Sequence, residues 1–297
     1  MTRTTKGYIL GAVAAVSYGT NPLFAVPLYE MGMGVSSVLF YRYLFATLIL
    51  GAIMLLRGDS FRLARRDLPL MVLLGIFFAM SSVLLFEAYK YMDVGLASTL
   101  LFVEPVFIAL ILWIFFHERI SMWTIVSIAI CLTGVVFLCN PGEGAHVTAT
   151  GATLVILSSL AYAIYMVMIN KSRIRRLSGS TLTFYSLLFG MIVFAVRTNG
   201  FTEVQPVPSG LLPWACIAGI SIVPTIVSLM TVAVSIQCIG SVPVSILGAL
   251  EPITGVMFGV ALFGEILTVR ASIGIVLIIL AVIVLILSGR RHEKSAA

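Results

Sequence analysis

Charge is scarce in this chain. Asp, Glu, Lys and Arg together make up 10% of its 297 residues, where soluble domains carry about 25%. So few charges cannot cover the surface of a water-soluble protein of this length, and the excess apolar surface must face lipid. Histidine is nearly missing: His117, His146 and His292 are too scattered for a metal site. Cys131, Cys139, Cys216 and Cys238 show no metal-ligand spacing, and each lies in or beside an apolar run, so they read as small hydrophobes. No G-x-S-x-G, Walker A or H-E-x-x-H motif occurs, which argues against a hydrolase, an ATP-driven motor or a zinc protease in this chain. Nothing implies a cofactor. A membrane-embedded enzyme would need clustered His or Asp near a membrane surface, and no such cluster is present.

Hydrophobic residues, by contrast, make up 60% of the chain. A membrane span needs about 20 of them at 1.5 Å rise each. The apolar runs predict ten helical segments, at 7–29, 36–56, 68–89, 96–116, 122–139, 149–170, 180–197, 211–236, 241–263 and 268–288. The fold class is therefore all-α integral membrane, with short loops and no room for a soluble domain. Met1 to Lys6 precede an apolar run with no clear small-residue cleavage site, so this start reads as a retained first helix.

The net charge of +6 reflects orientation better than nucleic-acid binding. With the N-terminus cytoplasmic, fourteen Lys and Arg fall on inside segments, including Arg62, Arg65, Arg66, Arg173, Arg175 and Arg176. Only Lys90, Arg197 and Arg270 fall outside. The bias predicts both termini inside.

The sequence also repeats itself. Glu104-Pro105 recurs as Glu251-Pro252, an offset of 251 − 104 = 147. At that offset Glu118 matches Glu265, Phe116 matches Phe263, and Ser121 matches Thr268. Between 93–118 and 240–265, six of 26 residues are identical without a gap. Near the start of each half, Tyr18 matches Tyr162. The reading is two five-helix repeats, 1–140 and 149–288, with a cytoplasmic tail at 289–297. An odd number of helices makes the second repeat enter from the opposite side, an inverted repeat whose site should lie near the midplane between the halves.

Ionisable residues inside a span are costly and should face a cavity or a partner. Arg42, Glu87, Glu104 and Glu251 are the candidates. Glu104 and Glu251 either line a substrate path or carry a proton, or they stabilise helix junctions. Pro105 and Pro252 favour kinks there, because neither can donate to the carbonyl four residues back. Arg42 lies at a depth similar to Glu104, so the two can pair; alternatively Arg42 holds a substrate carboxylate. Its counterpart in the second half is Ser186, leaving one fixed positive charge. Glu87 and Lys90, at i and i+3, read as an interfacial ion pair. Asn21-Pro22 makes the first segment polar and breakable in mid-span. Tyr18, Tyr89, Tyr162 and Tyr165 are candidate ligand-stacking rings. Glu118 and Glu265 read as junction-shaping residues, with Ser121 and Thr268 as helix caps. The fifth and tenth segments carry no intramembrane charge and read as scaffold or as a homodimer contact.

The segments from Glu104-Pro105 through Glu118-Arg119-Ile120-Ser121 and from Glu251-Pro252 through Gly264-Glu265-Ile266-Leu267-Thr268, with Phe40-Tyr41-Arg42-Tyr43 and Ala88-Tyr89-Lys90-Tyr91, resemble the drug/metabolite transporter superfamily in its EamA-like ten-helix branch. The resemblance covers essentially the whole chain. The first junction departs from the usual Gly-Glu in having His117-Glu118. The resemblance implies ATP-independent export or exchange of a small metabolite, such as an amino acid, across a bacterial inner membrane. It also implies a cavity walled by segments 1–4 and 6–9. A carrier of nucleotide sugars or drugs, or a non-transporting scaffold, is the alternative. The small multidrug members use an acidic residue in the first segment, and this chain has none there.

Overall fold

The computed structural model describes residues 2–88, 90–92, 97, 100–118, 120–138, 148–263 and 268–296. Helices fall within every predicted segment. They are α1 (Arg3–Gly19), α2 (Asn21–Glu30), α3 (Val35–Arg57), α4 (Leu68–Ala88), α5 (Glu104–Phe116), α6 (Met122–Leu138) and α7 (Ala149–Lys171). After a 3-10 turn at Arg173–Arg176 come α8 (Gly179–Arg197), α9 (Leu211–Ser221), α10 (Ser228–Ile239), α11 (Ser241–Leu247), α12 (Leu250–Phe263) and α13 (Val269–Ala296). Eight stretches are long and apolar enough to cross a membrane, and Glu104–Phe116 and Met122–Phe137 are shorter apolar helices. The outer faces are strongly apolar: Leu56 is 89% exposed, Leu211 86% and Phe115 73%. Such exposure suits hydrocarbon, not water.

Four of the predicted segments are interrupted, at Pro22, Pro105 and Pro252, where the sequence suggested a break or kinks, and at Pro224. Pro22 stands in the first turn of α2, where its missing N–H has no helical partner to lose. Pro105 does the same at the start of α5, after a turn at Phe102 and Val103. Pro252 follows a turn at Gly248 and Ala249. Pro224 sits inside a π turn, Ile222–Val227, that joins α9 to α10. A proline leaves the carbonyl four residues earlier without its donor. Three of these carbonyls find another. The Thr225 hydroxyl donates to Ile220 O at 2.7 Å, Ser159 Oγ to Leu101 O at 2.9 Å, and the Glu251 N–H to Gly248 O at 2.8 Å.

Packing runs mainly between the halves, in exchanged pairs. α4 of the first half packs on α7 and α8 of the second; α9 and α10 of the second pack on α1 and α3 of the first. α6 and α13 pack on each other along the outside. Close approach requires small residues. A Cβ on Gly75 would lie 2.8 Å from the backbone of both Ser186 and Gly190 on α8, so nothing larger than glycine fits that crossing.

Second-half arginines hold α4 at both ends. At its start Asp67, 1% exposed, accepts a hydrogen bond from Arg176 at 2.8 Å and forms an ion pair with Arg173 at 2.9 Å. At its end Glu87 pairs with Lys90 at 2.9 Å, as the i, i+3 spacing predicts, and also with Arg197. The hydrogen bond from Arg176 holds the Asp67 carboxyl below its ordinary range, against the opposing effect of burial; the charges of Arg176, Arg173 and Arg66 add to the lowering. A carboxylate whose folded pKa is depressed contributes stability above its unfolded pKa and loses it as pH falls through the folded one. Asp67→Asn should therefore lower the melting temperature of detergent-purified protein at pH 7. The difference from wild type should close as the pH falls below the usual carboxylate range. An equal difference at both pH values would show that charge is not what Asp67 contributes.

Candidate functional site

The interrupted segments converge on one cavity between the halves. Its walls come from α1, α4, α5, α7, α10, α11 and α12, and its volume is about 70 Å³. Glu104 and Glu251 both line it, each in the first turn of a half-helix. The positive end of a helix dipole favours a negative charge there. Among the described residues, neither glutamate belongs to an ion pair, and the buried Glu104 Oε1 has no hydrogen-bond partner.

Tyr18, Phe78 and Tyr162 give the cavity an aromatic side. Tyr162 stacks on Tyr165 with ring centroids 5.5 Å apart and planes 15° apart. Phe78 packs on both, at 6.3 Å and 5.2 Å. Tyr165 is 1% exposed and backs Tyr162 without lining the cavity itself. Hydroxyls fill the polar positions. Ser82 lines the cavity and shares a 3.1 Å hydrogen bond with Tyr43; Ser81 lies 3.1 Å from Ser158 on α7. Gly19 lets α1 approach the start of α12, since a Cβ there would lie 2.6 Å from Glu251 O.

Arg42 is fully buried and does not form the ion pair with Glu104 that their similar depths allow. Its Nε donates to Thr225 Oγ1 at 2.6 Å, its Nη2 to Pro224 O at 3.4 Å, and its Nη1 to Asn21 Oδ1 at 3.5 Å. The guanidinium also lies 5.5 Å from the centroid of the Tyr18 ring. The π turn presents the Thr225 hydroxyl and the Pro224 carbonyl to the guanidinium. Arg42 and Asn21 thus stand behind Tyr18, outside the cavity lining.

Of the other sequence candidates, Pro105 and Pro252 open α5 and α12, beside their glutamates. Glu118 sits at the far end of α5, paired with Lys171. Thr268 caps α13 by accepting from the Ala271 N–H at 3.1 Å. Tyr89 and Glu265 lie outside the described residues. Sequence reasoning missed Thr225, Ser159 and the serines of α4. Pro224-Thr225 in mid-segment was the available signal, of the same kind as Asn21-Pro22.

Residues 5–140 and 149–287 match the EamA-like transporter family. An uncharacterized transporter of Clostridium kluyveri is 25% identical over 300 residues, covering 94% of this chain and 92% of that one. The uncharacterized transporter YxxF of Bacillus subtilis is 24% identical over 277 residues, covering 91% and 83%. A crystal structure at 18% identity superposes with a TM-score of 0.80, covering 97% of this chain and 99% of that one; the likeness is one of fold.

Thr225→Val keeps the shape of the π turn but removes an acceptor for Arg42 and the donor to Ile220 O. The expected loss is about 1–3 kcal/mol of stability, read as a lower thermal midpoint in detergent. A variant that melts with wild type would show that this bond does not hold the turn.

Proposed function

The chain belongs to the EamA-like transporter family, and from that premise we propose that it is a secondary carrier of a small metabolite, such as an amino acid, working by alternating access as an exporter or exchanger. It is an integral membrane transporter of the inner membrane. In this reading the eight long stretches and the two shorter apolar helices make ten crossings. They form two inverted five-helix repeats, 1–140 and 149–288, with both termini and the tail 289–297 cytoplasmic. A cysteine replacing Arg62 should then react with an impermeant reagent only from inside; labelling on intact cells would reverse the orientation.

One observation supports the carrier reading above the rest. Two carboxylates, an aromatic wall and four interrupted helical segments meet in a small cavity between the halves. Half-helix ends at the middle of a span are where carriers gather ligand groups. The ties at Asp67 and Glu87 sit at opposite ends of α4, which at 21 residues is about 30 Å long. Releasing one end at a time would open the cavity to one side at a time. Glu104 and Glu251 are proposed to bind the solute or a proton, Tyr18 and Tyr162 to form the wall, and Tyr165, Arg42 and Asn21 to hold that wall in place. The partners are lipid, solute and proton; α6 and α13 are the surface for any second copy.

Purified protein in liposomes should take up one class from a panel of amino acids, amines and sugars, saturably. If Glu104 carries the proton, a pH gradient should accelerate uptake by wild type, and Glu104→Gln should lose that acceleration while keeping solute exchange. Gradient-driven uptake surviving in Glu104→Gln would remove Glu104 as proton carrier. Failure of every solute, beside a working control transporter, would count against the carrier reading.

A further inference from the structure

Resting on the carrier reading, and replacing the amino acid as its example solute, we propose that the cavity recognises a monovalent organic cation through its ammonium group, and does not recognise the carboxylate of a zwitterion or an anion. Two acidic side chains, Glu104 and Glu251, line the same space, and no Lys, Arg or His among the described residues lines it with them. The buried Glu104 Oε1 lacks a hydrogen-bond partner among those residues, so a donor is missing from the site.

Arg42, which would be the natural ligand for a substrate carboxylate, is turned away. Its donors go to Thr225, Pro224 and Asn21, and the Tyr18 ring lies against it. A buried carboxyl ionises readily only beside a positive partner, and Arg42, committed to Thr225, Pro224 and Asn21, is in no ion pair with either glutamate among the described residues. A ligand ammonium would be that partner, and the carboxylate would in turn compensate its charge in a poorly solvated space. The helix dipoles of α5 and α12 do not reverse this preference. Their positive ends already face Glu104 and Glu251 and so stabilise these carboxylates in place of a ligand anion. The rings of Tyr18, Phe78 and Tyr162 line the same space and offer aromatic surface of the kind that attracts ammonium groups, and serine hydroxyls such as Ser228 and Ser245 at the cavity wall can accept its N–H donors.

The test uses three ligands built on one branched skeleton: isobutylamine carries only the ammonium, isovalerate only the carboxylate, and valine both. Equilibrium binding to the full chain in detergent at pH 7 should favour isobutylamine by about tenfold or more over the other two. Glu104→Gln should weaken it by a similar factor. Tyr162→Leu should weaken it about threefold while Tyr162→Phe retains it. Wild type alone decides the matter if a variant fails to fold. Tighter or equal binding of valine or isovalerate overturns the proposal, as does binding of none of the three. A protein selective for valine remains a carrier; only failure of the whole uptake panel removes the reading beneath.

Discussion

A buried guanidinium needs partners, and in this fold the partners of Arg42 come from a π turn. Pro224 breaks the helical ladder, Thr225 turns its hydroxyl to Ile220 O, and the same hydroxyl accepts from Arg42 at 2.6 Å. α3, of the first half, is thereby fixed to the α9–α10 junction of the second. Asn21, at the break between α1 and α2, is drawn into the same network. One charged side chain thus ties two interruptions in the backbone to a third helix.

The other interruptions follow the same logic. Inside a membrane every freed carbonyl must find a donor. Ser159 crosses from α7 to serve Leu101, and Glu251 serves Gly248 through its own N–H. In the cavity, Glu104 Oε1 remains without a hydrogen-bond partner among the described residues, and the two glutamates at half-helix starts face a lining with no Lys, Arg or His among those residues. Three freed carbonyls are served while Glu104 Oε1 is left open, as a binding site requires.

Much of this was legible in the sequence. The apolar runs located every helical segment, because hydrophobicity over about 20 residues is a strong signal. Glu104-Pro105 and Glu251-Pro252 marked the cavity through two costly residues repeated at one offset, and Glu87 with Lys90 is local at i, i+3. The arginine's partners were hidden. Thr225 lies 183 residues from Arg42, and depth along a helix says nothing about which way a side chain faces. The prolines suggested kinks, whereas the chain breaks outright, because a first-turn proline costs a helix nothing. His117 explains the missing glycine at the first junction: it holds a left-handed φ of 52°, the conformation glycine usually supplies at a helix end.

The claim underlying all of this is that solute binds where the two glutamates meet. A hydrophobic carbodiimide should modify Glu104 or Glu251 in the full-length protein, located by mass spectrometry of its fragments. Saturating amounts of a transported solute should protect the modified residue. Modification that proceeds unchanged in the presence of a solute the protein demonstrably transports would place binding elsewhere and contradict the account.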